Sequence, residues 1–280
     1  MENGLIASKC VCPVCGENMK LIDLGNRIDG KIWRCRKKGL NPHHIKRSVR
    51  KGSWFDKSHL DLGTILCLTY MWLNRMRRES IVNDLNVSPR TVTDWMNFCR
   101  GVCEDACLAF DGKIGGVGKI VEIDESKFGK RKYNRGKRVE GKWVFGGIVR
   151  YTNDCFFEVV PERSTEVLLE IIKRRILLGS TIISDCWSSY KCLENEGFQH
   201  LTVNHSLTFK DPETGAHTNS MEGTWSAVKR SLHGTNHVAG EFDGYMAEYI
   251  WRRQNNVVIT EKIRRFFSEI SKSYPVEATA

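Results

Sequence analysis

Three acidic residues stand where a folded chain can gather carboxylates. Residues 118–129, GKIVEIDESKFG, read as a buried strand carrying Asp124 near its C-terminal end. Alternation puts Val121 and Ile123 on one face and Glu122 and Asp124 on the other. Asp185 ends the apolar run Ser180-Thr-Ile-Ile-Ser, and Glu222 lies in the helical-looking segment 217–230. A carboxylate at the end of a central strand is costly unless something pairs with it; the expected partner is a divalent cation. The chemistry this serves is phosphodiester cleavage, which needs a neutralised nonbridging oxygen, an activated water or hydroxyl and a stabilised leaving oxygen. Two divalent ions about 3.5–4 Å apart meet all three needs. Carboxylate oxygens suit the hard ion Mg²⁺ (or Mn²⁺). In this reading Asp124 bridges both ions, Asp185 holds one and Glu222 the other. Asn219 and Lys229 share the helix face of Glu222, Asn219 to orient Glu222 or a water and Lys229 to contact substrate phosphate. Alternatives stay open: Glu122 or Glu125 as the ligand in place of Asp124 or as solvated groups, Asn219 as a helix-start residue, Lys229 as a surface lysine. Cys186 reads as packing, and His205 and His217 as cleft lining or structural residues.

A second constellation precedes these acids. Cys12-Pro-Val-Cys15-Gly is a knuckle whose glycine lets both thiolates face one ion. Cys35 supplies a third ligand to a structural zinc and His43 the fourth, with His44 as the alternate and Cys10 as a spare; otherwise these are ordinary buried thiols.

The elements that must position both constellations follow from composition and order. The chain has 280 residues, a net charge of +10 and a pI near 9.1, a balance that favours a polyanion, nucleic acid before membrane. No apolar run approaches the roughly 20 residues of a membrane helix, and the N-terminus lacks the pattern of a secretory signal. Eleven cysteines in such a chain point to reduced thiols and a metal site. Residues 27–57 hold eleven Lys/Arg against two acids, with Trp33, Trp54 and Phe55 interleaved. The strip, Arg50 and Lys51 included, suits phosphate contacts. Residues 58–76 read as a buried helix opened by Ser58. Residues 79–85 and 89–100 resemble a helix-turn-helix, with Ser88 as cap and Pro89 in the first turn. Val92, Trp95, Met96 and Cys99 form the apolar face, and Arg90, Thr93 and Asn97 lie off it, toward DNA. The glycine-rich stretch 111–118 reads as a linker. Residues 127–142 hold eight Lys/Arg and one acid, a basic arm in which Lys130, Arg131 and Lys132 face DNA. Around it come strands 119–124, 143–149 and 155–160, the last two joined by a turn at Asn153-Asp154. A helix at 165–176, a strand at 180–184, a short helix at 189–195, a strand at 200–205 and the helix carrying Glu222 complete the order. That order is the one of an α/β, ribonuclease-H-like fold, a mixed five-stranded sheet with helices.

The stretches VEIDESKFGKRKYNRGKRVEGKWVFGGIVR, IISDCWSSY, HTNSMEGTWSAVKR and EYIWRRQN resemble the DDE transposases of the Merlin superfamily and their bacterial insertion-sequence relatives. The resemblance covers nearly the whole chain. It implies a metal-dependent cut-and-paste transposase acting at terminal inverted repeats, with Asp124, Asp185 and Glu222 as catalytic acids and Asn219 and Lys229 in the same motif. Relatives commonly close the zinc ribbon with a second cysteine pair, where this chain has Cys35 and then His43. The expected organisation is a zinc-ribbon-like basic module at 1–56, a helix-turn-helix region at 57–112, the ribonuclease-H-like domain at 113–235 and a helical extension at 236–280. The expected partners are double-stranded DNA and further copies of the chain in a dimer or larger assembly, without membrane. The location would be the nucleus, or bacterial cytoplasm for a prokaryotic element. The competing readings are a host-captured DNA-binding protein without activity and a junction-resolving nuclease of the same fold.

Overall fold

The computed structural model describes residues 1, 3–25, 28–39, 41–110, 112–128, 141–185, 190, 192–203, 211–212, 215–232 and 242–276. Lys130, Arg131, Lys132, Cys186 and His205, and most of the basic arm, lie outside the described residues. The chain divides into two compact units, Met1–Ala106 with Asn255–Ala280, and Cys107–Gln254.

The first unit opens with an antiparallel sheet of β1 (Lys20–Asp23), β2 (Lys31–Lys37) and β3 (His43–Ser48), in that spatial order. Trp33 and Cys35 point inward from β2 and pack with Cys10, Cys12, Met19 and Val49. Helices α1 (Leu62–Leu73), α2 (Arg78–Leu85) and α3 (Pro89–Ala109) follow. Their shared core contains Phe55, Ile65, Leu68, Met71, Ile81, Val92 and Trp95. Helix α1 starts later than the sequence suggests. Asp61, not Ser58, caps it, accepting the Thr64 N–H at 2.9 Å. Both residues are competent caps, and the one adjoining the first apolar turn is used. Ser88 caps α3 through the Thr91 N–H at 3.1 Å, as its type predicts, and Asn86 takes the left-handed conformation (φ 50°) that ends α2. Helix α7 (Ile259–Ser273) returns to this unit, where Phe266 packs against Trp72 of α1 with ring centroids 5.5 Å apart.

The basic strip differs from its expected role in two respects. Trp33 and Phe55 are buried, and Trp54 packs edge-on against Phe55 and Trp95, so its aromatics are core. Arg50 is buried too. Its guanidinium is held by both oxygens of Asp29 and by the Ser58 carbonyl at 3.2 Å. Arg50 is therefore spent on the fold and unavailable to phosphate, whereas Lys51 is exposed, 3.8 Å from Asp56. Removing one partner of a buried ion pair strands the other. Arg50→Ala is expected to cost about 3–5 kcal/mol of first-unit stability and Lys51→Ala almost nothing, as read by chemical denaturation of the two variants; equal effects would contradict the assignment.

The second unit is built on a five-stranded mixed sheet. Its strands are β5 (Ile120–Phe128), β6 (Lys142–Val149), β7 (Cys155–Val160), β9 (Thr181–Asp185) and β10 (Gln199–Val203), in the spatial order β10-β9-β5-β6-β7. The first three are antiparallel neighbours, and β9 and β10 join parallel on the other side of β5. With chain order 1 to 5, the sheet reads 5-4-1-2-3, the ribonuclease-H-like arrangement, with β5 at its centre. Helix α4 (Thr165–Arg175), capped by Ser164, covers one face over Val121, Ile123, Phe145 and Ile182. Helices α5 (Asn219–Ser231) and α6 (Phe242–Gln254) cover the other over Val144, Ile148 and Phe157. Where the sequence suggests a helix near 189–195, the described residues include a 3-10 turn at Glu194–Glu196.

Residues 111–118 are more than a linker. Ile114–Gly115 forms a short strand, β4, parallel to β8 (Ile176–Leu177). Gly115 adopts φ 87°, and a Cβ there would stand 2.4 Å from the Ser180 Oγ, so backbone and not side chain fits the space. The second unit runs on through α6, and α7 lies in the first; the segment 236–280 is thus shared between units.

Candidate active site

Strand register brings Asp124 and Asp185 together. The parallel pairing of β5 with β9 joins Ile120 to Thr181, Val121 to Ile182 and Glu122 to Ile183. Continuing that offset sets Asp185 level with Asp124 on the neighbouring strand, where adjacent strands lie about 4.8 Å apart. Helix α5 crosses the same face. Its Met221 seats closely because Asp124 pairs with Gly146 of β6; a Cβ at Gly146 would come within 2.7 Å of the Met221 Cε. One residue on, Glu222 is exposed in the first turn.

Asp124 feels the charges of both other carboxylates. Burial raises the Asp124 carboxyl to about 6, and the charges of Asp185 and then Glu222 add to the rise, against the hydrogen bonds that lower it. Both Asp124 oxygens are held: Oδ1 accepts the Glu125 N–H at 2.8 Å and Oδ2 accepts the Trp225 indole N–H at 3.1 Å. The sequence reading missed Trp225, although it follows Glu222 by three residues, on the same helix face.

The two acids beside Asp124 are not solvated groups; each is held by partners of its own. Glu122 is fully buried; its Oε1 accepts the Arg150 Nε at 2.5 Å and the Ser220 hydroxyl at 3.0 Å, and its Oε2 accepts the Met221 N–H at 2.9 Å. Glu125 faces the opposite side of the sheet, as alternation requires, and accepts the Tyr190 hydroxyl. Burial pushes the Glu125 carboxyl up to about 8, with the charges of Asp124 and Asp185 adding to it and Arg163 opposing. Asn219 is the first residue of α5 and is exposed. Lys229 is exposed two turns on, its ammonium 5.6 Å from the ring centre of Phe128. His217 is half-buried, its Nδ1 3.8 Å from Glu122.

In the first unit, Cys12, Cys15, Cys35 and His43 bring one donor atom each within 4.8 Å of all the others. Cys15 and Cys35 sulfurs are 3.7 Å apart, and the His43 Nε2 lies 3.5 Å from Cys12 and 3.3 Å from Cys35. The His43 Nδ1 is 2.9 Å from the Asn41 carbonyl, which accepts its N–H and leaves the Nε2 lone pair toward the thiols. The thiols crowd one another. Against burial, hydrogen bonds from the Cys15 and Val14 backbone and the neighbouring thiols bring Cys12 down to about 6. Burial and the same neighbours push Cys35 up to about 12. The alternates stand apart: His44 is exposed on the other face of β3, and Cys10 faces Met19 at 3.5 Å.

Of the residues expected to face DNA from α3, Arg90 is exposed. The Thr93 hydroxyl turns back to the Pro89 carbonyl at 3.0 Å, and the Asn97 amide oxygen accepts Arg100 at 2.5 Å. Among the described residues, no helix is long and apolar enough to cross a membrane.

Residues 112–254 match the model of the ISXO2-like transposase domain. An uncharacterized transposase-like protein of Haemophilus influenzae is 32% identical over 101 residues, covering 36% of this chain and 80% of that protein. Among solved structures, the HTLV-2 integrase catalytic core domain in complex with magnesium aligns at 12% identity and a TM-score of 0.30, covering 49% of this chain and 85% of that one. The BIV integrase catalytic core domain aligns at 12% and 0.33, covering 48% and 81%. With the matched region taking in the whole five-stranded sheet and all three acids, the chain belongs to the ISXO2-like transposase family.

Proposed function

We propose that this chain is a metal-dependent DNA transposase that cleaves strands at terminal inverted repeats and transfers them to target DNA. The observation that carries the reading is the placement of Asp185 and Glu222 near enough to Asp124 that their charges add to the rise that burial imposes on its carboxyl. An all-oxygen donor set with surplus negative charge fits hard divalent ions, Mg²⁺ or Mn²⁺. Bound there, a pair of such ions supplies charge neutralisation at the scissile phosphate and activation of the attacking oxygen. The chain's own residues do the rest. The Trp225 indole and the Glu125 amide fix the orientation of Asp124, Lys229 reaches substrate phosphate from the exposed side of α5, and Asn219 orients Glu222.

The Cys12–Cys15–Cys35–His43 cluster fits a structural zinc. Tetrahedral ligands at about 2.3 Å (sulfur) and 2.0–2.1 Å (nitrogen) stand about 3.6–3.8 Å apart, close to the separations in this cluster. We assign end recognition to the first unit, with Arg90 and Lys51 toward DNA and Thr93 and Asn97 beside the contact. The arm residues Lys130, Arg131 and Lys132 are assigned to DNA near the acids. Strand transfer joins two ends, so the acting species is a dimer or larger. The resemblance of the quoted motifs to the Merlin superfamily supports a nuclear location as part of this proposal, or bacterial cytoplasm for a prokaryotic element. The test is incubation of the purified chain with Mg²⁺ and a duplex carrying the element's own ends. Nicking that EDTA abolishes is expected, and its absence with correctly folded protein would overturn the reading.

A pH dependence follows. Asp124 and Glu125 keep their protons in the folded chain up to about 6 and 8, whereas free carboxyls lose theirs near 4. The folded state gains from this below about pH 4 and loses the gain as pH rises through 6 and then 8. In EDTA, the melting temperature of the second unit is expected to fall between pH 5 and pH 8, and Mg²⁺ should raise it more at pH 8 than at pH 5. A flat profile, indifferent to Mg²⁺, would speak against a crowded acidic site.

A further inference from the structure

We infer that Glu122 and Arg150 are positioning residues that cap α5 from the central strand and thereby set Glu222 relative to Asp124; the inference rests on the reading of Glu222 as a metal ligand. Helix α5 begins without a local cap, because the Thr218 side chain makes no capping hydrogen bond. The first helical amides are ordinarily satisfied by the N-cap side chain, at the second or third position. Here the third, Met221, donates to Glu122 of β5 at 2.9 Å, and Ser220 adds its hydroxyl at 3.0 Å. A carboxylate there also meets the positive end of the helix.

Arg150 completes the tie. It lies just past the end of β6, binds Glu122 through Nε at 2.5 Å and donates through Nη2 to the His217 carbonyl at 2.5 Å, just ahead of the helix. One arginine thus joins the central strand to the segment entering α5. A buried ion pair is a poor source of net stability; what this one supplies is register.

The register is commensurate with a second tie. Glu122 holds Met221, and Asp124, two residues along β5, holds Trp225, four residues along α5. Two strand residues advance about 6.7 Å and four helical residues about 6 Å. Helix and strand therefore run in the same direction with matched pitch. Glu222 lies between the two tied helix residues, and its backbone is fixed from both sides although its side chain is exposed.

The experiment compares the full-length chain with Glu122→Gln, Ser220→Ala and Asp124→Asn. It reads metal affinity by titration calorimetry with Mn²⁺, and amide exchange of peptides covering 215–225 and, as a control, α4. Glu122→Gln is expected to weaken Mn²⁺ binding by about 10-fold or more, in the range for residues that support ligands. It should speed exchange at the start of α5 while α4 stays protected. Ser220→Ala changes an exposed position, keeps the chain folded, and should shift both readouts the same way by less. Asp124→Asn should lose Mn²⁺ binding with the 220–221 amides still protected, which separates a ligand from a positioning residue. Unchanged affinity and exchange in both Glu122→Gln and Ser220→Ala, with parental Mn²⁺ binding intact, would overturn the inference alone. Should Glu122→Gln fail to fold, Ser220→Ala decides by the same criteria. No Mn²⁺ binding by the parent would overturn the three-carboxylate reading and the inference with it.

Discussion

Replacing Asp124 or Asp185 by Asn, or Glu222 by Gln, is expected to lower Mg²⁺-dependent nicking of labelled ends by at least about 100-fold. The charge stabilisation a bound metal pair gives a phosphoryl transition state is worth several kcal/mol, and each 1.4 kcal/mol or so is tenfold in rate. The three variants differ in what else they disturb. At Asp124 both oxygens act as acceptors, for the Glu125 amide and the Trp225 indole. An amide has one acceptor oxygen, so Asp124→Asn also frees one of those donors and loosens the carboxylate's neighbours. Glu222 is exposed, so Glu222→Gln removes charge with little effect on packing and is the cleanest of the three. In EDTA at pH 8 it should unfold no earlier than the parent, because it relieves repulsion against Asp124. Binding to end DNA should persist or strengthen as carboxylate–phosphate repulsion falls. Glu125→Gln should affect nicking far less, since its side chain lies on the opposite face against Tyr190. Near-parental nicking by Glu222→Gln, with its binding intact, would remove α5 from the chemistry and leave two carboxylates where the reading needs three.

How far the sequence displayed this site depends on the range of the signal. Alternation alone put Asp124 on one face and Glu125 on the other, and an apolar run ending in Asp marked Asp185. Those are local patterns, and the strands carry them. Alternation cannot name partners, however. Glu122 shares the face of Asp124, so the sequence leaves it open as an alternative ligand or a solvated group; its partners are Arg150, 28 residues away, and the first turn of α5, nearly 100 away. The same limit hid β4, whose partner β8 begins 62 residues after it. Composition misled at Arg50 because a run of cations looks alike whether one is buried on Asp29 or all are solvated. At the start of α1 two cap-competent residues, Ser58 and Asp61, stood three apart, and only the position of the first packed turn separated them. Cys35 and His43 were legible as donors by type, and pairing across β2 and β3 is what brings the histidine to the sulfur.

Removing the metal from that cluster is expected to unfold the N-terminal sheet and abolish specific end binding. The core around it is small. Cys10, Cys12, Met19, Trp33, Cys35 and Val49 are its buried residues, with Cys15 and Ile45 partly buried against them, and three of these belong to the candidate metal cluster. A module with so little apolar volume cannot offset the conformational entropy of its strands by burial alone. On the proposed zinc reading the missing stability would come from the ion, whose binding to comparable small sites is worth about 10–16 kcal/mol near neutral pH. Without it, three thiols and an imidazole are left crowded together, and the proton distribution that drives Cys12 down to about 6 and Cys35 up to about 12 shows the conflict. Cys15→Ser or exhaustive chelation should therefore erase protection from amide exchange across β1–β3. His44→Ala, on the exposed face of β3, should leave it intact. The sheet of the second unit has its own core, and Mg²⁺-dependent, sequence-independent nicking at high protein concentration should survive the loss. Elemental analysis gives the direct measure, one zinc per chain in the parent and none in Cys15→Ser. A Cys15→Ser chain that keeps β1–β3 protected and still selects its own ends would show that the four donors are packing residues, and that recognition does not depend on an ion between them.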